Sequence, residues 1–419
     1  MIPRFSPNYH RAELQQLLSV SRPDAVSRLE RVFMARTGHD AAIALKYGRT
    51  GLYLLLKALG ARNKKVILPA YTCVVVAHAV VLSGNIPVFL DNASNSFQPD
   101  PMDYLGAIDD ETAMIIPTHL FGIAEETREL VARVREAFPH VFILQDCAHS
   151  FFCDDSSGLP VTTAGDGALF GMNISKLANT IRGGMLTLRD AQLAEFVREV
   201  WQVESGHSFH DPLLSLKARL YGLAAAFAFT APGYELVYQL THKTSFLNSE
   251  TRYYQSNSID LPSDFLHPML PIEAEIGLRS IQKWDDRIAR RREIANVYLK
   301  QFTAAGLPPD ILFLPKISAG NTWSHFPILV PTKQRPSLKH LLEQQFRTEI
   351  GVIVDYAIPD LLAYQALSAT PCPKASSAVP RVLNLPLTLG EGLWGSRNAN
   401  VKTVAIADTI VKTLNRAII

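Results

Sequence analysis

The sequence lacks an excess of either charge. Its 41 Lys and Arg residues stand against 39 Asp and Glu, a formal +2 over 419 residues, and no basic block or stripe forms anywhere. No nucleic-acid partner is expected. Cysteine is scarce, and Cys73, Cys147, Cys153 and Cys372 have no paired metal-ligand spacing. Three of them sit in apolar runs, as buried thiols of a reducing cytoplasm do, so a soluble cytoplasmic protein is expected. No metal is expected either, because His207 and His210 have no third ligand near them in sequence. Internal repeats and low-complexity linkers are missing, and Met1-Ile2-Pro3-Arg4-Phe5 is too broken by polar residues to open a signal peptide. No apolar run is long enough to span a bilayer: Leu213 to Ala231 is rich in Leu, Ala and Phe, but it carries Lys217 and Arg219 and stops at Pro232-Gly233. Such a stretch suits buried core or a subunit contact, with peripheral membrane contact through 213–231 as the alternative. What is present is an ordinary globular balance, 47% hydrophobic and 19% charged, in a chain long enough for a large and a small domain.

The first forty residues read as polar helices, Arg11 to Leu18 and Asp24 to Met34. From Ala41 short apolar runs alternate with helical segments. Strands are predicted at Ala41–Lys46, Val66–Pro69, Ile86–Asp91, Ala113–Thr118, Val141–Leu144 and Ala168–Met172, and helices at Leu52–Leu59, Val74–Leu82 and Glu125–Phe138. That alternation predicts an α/β domain on a mainly parallel sheet. Ligands bind such sheets at the carboxyl ends of the strands, where Gly48, Tyr71, His119 and Asp146 fall. From Met269 a long amphipathic helix is predicted, with Ile272, Ile276, Ile281, Trp284 and Ile288 at helical spacing and Arg287, Arg290, Arg291 and Arg292 alongside. Residues 321–419 mix helices with short strands, at His325–Val330 and Val352–Val354, as a smaller α+β domain would. Trp323-Ser324-His325 leads into one of them and is a candidate lining for a substrate pocket, as is His119.

One stretch carries chemistry. An apolar strand ends on an acid in Asp146-Cys147-Ala148-His149, and a second strand leads to a lone lysine, Lys176, and then to Gly183-Gly184. A buried carboxylate keeps a pyridine nitrogen protonated, and a lysine forms a Schiff base and shuttles protons, so the pair suits pyridoxal phosphate. Gly48-Arg49-Thr50 at a helix N-terminus would offer backbone N–H groups to the phosphate. His149 would donate toward the phenolic oxygen, and the diglycine would let backbone pass close to the cofactor or make a tight turn.

Gly48-Arg49-Thr50-Gly51-Leu52, Pro69-Ala70-Tyr71-Thr72, Ile86 to Asp91, Thr118 to Gly122, Asp146 to His149, Phe170 to Lys176 with Gly183-Gly184, Glu273 to Leu278 and Arg381 to Pro386 follow one another in the register of a known family. Over roughly residues 40–200 and 265–415 the chain resembles the DegT/DnrJ/EryC1/StrS aminotransferases, which use pyridoxal phosphate and mostly aminate keto-sugars attached to nucleotides. The resemblance implies an aspartate-aminotransferase-like fold (fold type I). Its large PLP-binding domain spans 1–265, with a helical arm to residue 40 and a divergent insert at 204–266, and a small domain spans 266–419. It also implies a homodimer, glutamate as the usual amino donor, Lys176 as the Schiff-base lysine and general acid/base, and Asp146 on the pyridinium nitrogen. Gly48, Arg49 and Thr50 would take the phosphate, with His149 and Asn173 also at the cofactor.

Four departures from the family pattern stand out. Arg49 and Gly171 replace hydroxyl residues, Cys73 replaces an aromatic, and Leu266-His267-Pro268 replaces an Asn-Tyr-Arg run that reaches the neighbouring subunit's phosphate. Arg49 is one candidate compensation, since a guanidinium binds phosphate bidentately, and Tyr71 is a candidate for the missing ring stack. Two further readings stay open. One is a deoxysugar dehydratase-like relative, although those carry His where this chain has Lys176. The other is a non-catalytic regulatory or membrane-associated protein on the same fold.

Overall fold

Strand β1 (Ala41–Leu45) divides its side chains between two cores, as a strand buried on both faces must. Ile43 and Leu45 join the main core with Leu52 and Leu186, while Ala42 and Ala44 face Leu29 and Phe33 of the helix before it. The computed structural model of the chain describes residues 2–3, 5, 7, 9, 11–94, 96–206, 212–243, 258–315, 318–368, 370–390 and 399–416. His207 and His210, and the polar run from 244 to 257, lie outside the described residues.

Seven strands form the main sheet in the order β1-β7-β6-β5-β4-β2-β3. The others are β2 (Lys65–Pro69), β3 (Ile86–Leu90), β4 (Thr112–Ile115), β5 (Phe142–Asp146), β6 (Gly167–Gly171) and β7 (Gly184–Leu188). Strand β7 runs antiparallel to both of its neighbours, and all the other pairs are parallel. The expectation of a mainly parallel mixed sheet is therefore met. Strands β8 (Phe326–Leu329) and β9 (Val382–Leu385) make a separate antiparallel pair. The strand expected at Val352–Val354 does not form. Gly351 pairs alone with Asn384, and the Asn384 side chain accepts the N–H of Ile353 at 2.9 Å, so a side chain replaces the ladder.

The helices in chain order are α1 (Arg11–Leu18), α2 (Ala25–Thr37), α3 (Gly48–Ala58), α4 (Val74–Leu82), α5 (Pro101–Ala107), α6 (Arg128–Ala137), α7 (Ala191–Ser205), α8 (Pro212–Ala228), α9 (Ala231–Lys243), α10 (Pro271–Gln282), α11 (Trp284–Ala305), α12 (Arg335–Phe346), α13 (Pro373–Ala378) and α14 (Ala399–Arg416). The single helix expected from Met269 is thus two, broken at Lys283. Helix α10 is held to the sheet by a buried ion pair, Lys46 Nζ to Glu273 Oε1 at 2.8 Å, while Glu273 Oε2 accepts the Leu270 N–H and caps the helix.

In the apolar insert, α8 lays Ala218, Gly222 and Ala225 on Leu17 and Ile181, and turns Leu213, Leu216, Leu220 and Phe227 outward. Helices α8 and α9 meet at 98°, and no single described helix is long and apolar enough to cross a membrane.

Candidate active site

The carboxyl edge of the sheet gathers the chemistry-bearing residues because β1, β2, β5 and β6 all end there while β7 begins there. Asp146 closes β5 and is 4% exposed. Its backbone is fixed on both sides, with its N–H on the Pro117 carbonyl (2.8 Å) and its carbonyl accepting from His119 N–H (3.1 Å). Its Oδ1 accepts the Ala148 N–H at 2.9 Å. Lys176 follows β6 on a pinned turn: Asn173 Oδ1 accepts from the Ser175 N–H and hydroxyl (3.1 and 2.7 Å), and the Lys176 N–H donates to the Asn173 carbonyl (2.9 Å). Asn173 therefore shapes the lysine's turn.

The electrostatics of the pair follow from enclosure. Burial pushes the Asp146 carboxyl above its usual range, with the Ala148 N–H and the Lys176 charge partly offsetting it. Burial draws the Lys176 amine below the ordinary lysine range, and Cys73 and Asp146 hold it up in part. Each charge thus stabilises the other. The Cys73 thiol, at the N-cap of α4, is raised by burial and feels Lys176, Arg49 and Asp146, so α3, α4, β5 and the lysine turn converge on one spot.

Two glycines make that convergence possible. A Cβ on Gly184 would lie 2.1 Å from the Gly48 nitrogen, and one on Gly48 would lie 2.8 Å from the Phe170 carbonyl oxygen. The diglycine's second residue thus lets β7 pass under the start of α3, a close approach of protein to protein. Gly171 differs: a Cβ there meets only Ala148 Cβ at 3.6 Å and Lys176 Cε at 3.7 Å, which leaves room beside the lysine.

Lys176, His149, Ser324, His325, Arg287 and Arg291 line a cleft at this edge. The His149 and His325 rings are 5.9 Å apart, and burial, with Lys176 and His325 adding to it, holds His149 well below the usual imidazole range. His149 Nδ1 is buried and has no hydrogen-bond partner. His325 Nδ1 meets Ser324 Oγ at 3.1 Å. Arg287 and Arg291 are 8% and 4% exposed. Arg287 donates to the Leu177 carbonyl, and Arg291 donates to the Trp323 and Ser324 carbonyls at 3.0 and 2.8 Å.

The arginines are the residues that sequence reasoning misses, since it sets them beside the apolar stripe. The signal is present: Arg287 and Arg291 fall three and seven positions after Trp284, on the buried side of α11.

Several expected site residues make contacts within the protein. The Thr50 hydroxyl donates to the Phe265 carbonyl at 2.6 Å and is no longer available to a phosphate; the first-turn N–H groups of α3 remain. The Arg49 guanidinium lies 5.0 Å from the Tyr47 ring centroid. Tyr71 is buried in the main core, and its hydroxyl donates to the Val354 carbonyl at 3.0 Å, so it does not line the cleft as a ring stack would. Trp323 is core as well, 2% exposed and 5.4 Å from the Phe326 ring. Its φ is +51°, and Gly122 packs against its backbone so closely that a Cβ there would lie 2.5 Å from the Trp323 nitrogen.

His119 is fully buried and has both ring nitrogens engaged, so it is a structural residue and not a substrate ligand. Nδ1 accepts the Glu125 N–H at 2.9 Å, which puts the proton on Nε2, bonded to Gln145 Oε1 at 3.0 Å. Burial draws its pKa down to about 4. Glu125 beside it is pushed up to about 8, first by burial and further by the charge of Asp100, against a partial offset from the Thr118 N–H. A carboxyl raised in the native state opposes folding above its unfolded pKa near 4.5, increasingly until pH reaches about 8. Glu125→Gln is therefore expected to stabilise the protein by about 2–4 kcal/mol at pH 8 and by less than about 1 kcal/mol at pH 5. Unfolding curves at the two pH values check this, and an equal gain at both would refute it.

The residues present fit pyridoxal phosphate. An ionisable pair, a buried imidazole nitrogen with no partner and open space beside Gly171 surround the lysine.

The sequence pattern of the DegT/DnrJ/EryC1/StrS aminotransferase family matches residues 11–231 and 238–391. The spore coat polysaccharide biosynthesis protein SpsC of Bacillus subtilis is 24% identical over 400 residues, 92% of each chain. The GDP-perosamine synthase of Escherichia coli O157:H7 is 25% identical over 285 residues, 68% of this chain and 65% of that one. The crystal structure of NtdA from Bacillus subtilis with bound cofactor PMP superposes with a TM-score of 0.69 at 17% identity, over 97% of this chain and 83% of that one, a likeness of fold.

Proposed function

The chain belongs to the DegT/DnrJ/EryC1/StrS aminotransferase family, and on that premise we propose that it moves an amino group from glutamate to a keto-sugar carried on a nucleotide. The observation that carries this reading is the enclosed Lys176–Asp146 pair at the carboxyl edge of β5 and β6. Pyridoxal phosphate, when bound, supplies an electron sink for the pair left behind by a departing α-proton. Lys176 Nζ is the base that takes this proton and returns it. Its lowered pKa raises the neutral, proton-accepting fraction above that of a solvated lysine. Asp146 would hold the protonated ring nitrogen, the first-turn N–H groups of α3 the phosphate, and His149 Nδ1 the phenolic oxygen.

Arg287 and Arg291 put two buried positive charges in the same cleft, which suits a donor carboxylate or the phosphates of a sugar carrier. The spore coat and perosamine relatives support a sugar acceptor. The reading includes a homodimer, as the family resemblance implies, and a cytoplasmic location, which the unpaired cysteines suit.

The half-reaction tests it. Purified protein loaded with pyridoxal phosphate and given glutamate alone is expected to release about one 2-oxoglutarate per site and then stop, because the amino group stays on the cofactor. No release at saturating glutamate, with every other amino donor also inert, would overturn the proposal.

A further inference from the structure

A second cavity lies away from the cleft, between α1, α2 and α10. It has a volume of about 250 Å³ and is lined by Gln16, Arg22, Arg28, Glu275, Arg279 and Gln282, with Val20 and Leu278 as the apolar remainder. Three guanidinium groups from three parts of the chain thus face one carboxylate. The loop between α1 and α2 brings Arg22, α2 brings Arg28, and α10 brings Arg279 together with Glu275. The carboxylate does not satisfy them: Glu275 Oε1 is 3.8 Å from Arg28 Nη1, beyond hydrogen-bond distance. Arg28 Nη1 and Arg279 Nε are both buried without a hydrogen-bond partner. Of the neighbouring polar groups, Gln16 Oε1 takes a different nitrogen, Arg279 Nη2, at 2.9 Å. Nearby cations have their own acceptors, since Lys283 pairs with Glu13, and Arg219 donates to the carbonyls of Leu17 and Ser19.

Buried guanidinium N–H groups left without acceptors destabilise a structure unless something accepts from them. A neutral occupant leaves the positive charge uncompensated, and a second protein carboxylate is not among the described lining residues. The geometry points to a phosphate-binding site: we infer that this cavity takes a phosphate dianion, free or as a small phosphate ester, held by Arg28 and Arg279 with Arg22 at the mouth. Bidentate guanidinium–phosphate bonds suit this donor set. At about 250 Å³ the cavity holds phosphate with its first waters and falls below the size usual for a larger organic ligand. The site is separate from the Lys176 cleft and shares none of its lining residues.

The test uses the holoenzyme, so that the cofactor's own phosphate position is filled, and measures inorganic phosphate binding by equilibrium dialysis with the cofactor's visible spectrum as a check that it stays bound. One saturable site per chain is expected, weakened about tenfold or more in Arg28→Gln and several-fold in Arg22→Gln. Arg22 is exposed, so its variant keeps the test open if Arg28→Gln fails to fold. Uridine monophosphate run alongside distinguishes the sources: tighter binding than phosphate assigns the site to esters, and equal or weaker binding to the free anion. No saturable binding in the wild type, or binding unchanged in both folded variants, overturns the inference.

Discussion

Lys176→Ala is expected to lower turnover by about 10⁴-fold, the upper range for removal of a positioned proton-transfer group. The same variant is expected to lose the long-wavelength absorbance that the lysine confers on bound cofactor, while still binding it through phosphate contacts. The loss should be chemical and not structural. Burial draws the amine below the ordinary lysine range, so its charged form opposes folding, while its removal leaves the Asp146 carboxyl without a compensating charge; the two effects on the variant's thermal midpoint oppose each other. The turn itself is held by Asn173 and by backbone bonds, none of which uses the Lys176 side chain. Lys176→Arg provides the sharper control. It keeps a positive charge beside Asp146 but cannot give up its proton, so it should be as inactive as the alanine variant. Activity retained by Lys176→Arg would mean that the residue acts only through its charge and that the base is another group, with His149 a candidate in the same cleft.

Much of this site is legible in the amino-acid sequence because its signals are local. Asp146 closes one short apolar run and Lys176 follows a second one on a turn, and the two runs pair in parallel as expected of buried strands. Helix α4 occupies its predicted span of Val74–Leu82, since nine consecutive residues of that apolarity have nowhere to go but a core. What is illegible is long-range. The position of β7 between β1 and β6, antiparallel to both, depends on Gly184 meeting Gly48 across 136 positions of sequence, and nothing around either glycine announces it.

The same limit explains the misplaced residues. Tyr71, His119 and Trp323 all belong to segments that reach the carboxyl edge, and only their tertiary partners (Val354, Gln145 and Phe326) show that their polar or aromatic groups are already committed. Arg287 and Arg291 fail in the opposite direction. The cluster Arg287, Arg290, Arg291 and Arg292 reads only as a group alongside the apolar stripe, and only two of the four lie on the side that packs inward.

Asp146→Asn should lower turnover by about 10²–10³-fold, the usual consequence of removing one preorganised electrostatic contact. The substitution isolates charge. The Asp146 backbone bonds to Pro117 and His119 are untouched by it, and an asparagine Oδ1 accepts the Ala148 N–H as the carboxylate does. What disappears is the anion that would keep a pyridine nitrogen protonated and that also raises the Lys176 pKa. Two readouts should therefore move together: turnover falls, and the acid limb of the pH–rate profile moves to lower pH as the lysine loses its stabilising neighbour. Asp146→Ala removes the acceptor as well and should be slower than Asp146→Asn. In the Lys176→Ala background either substitution should add little, because residues acting on one transition state are not additive. If Asp146→Asn kept wild-type turnover and pH profile, the carboxylate would be no more than an acceptor for the Ala148 N–H, and the electron sink would have to be sustained by some other charge in the cleft.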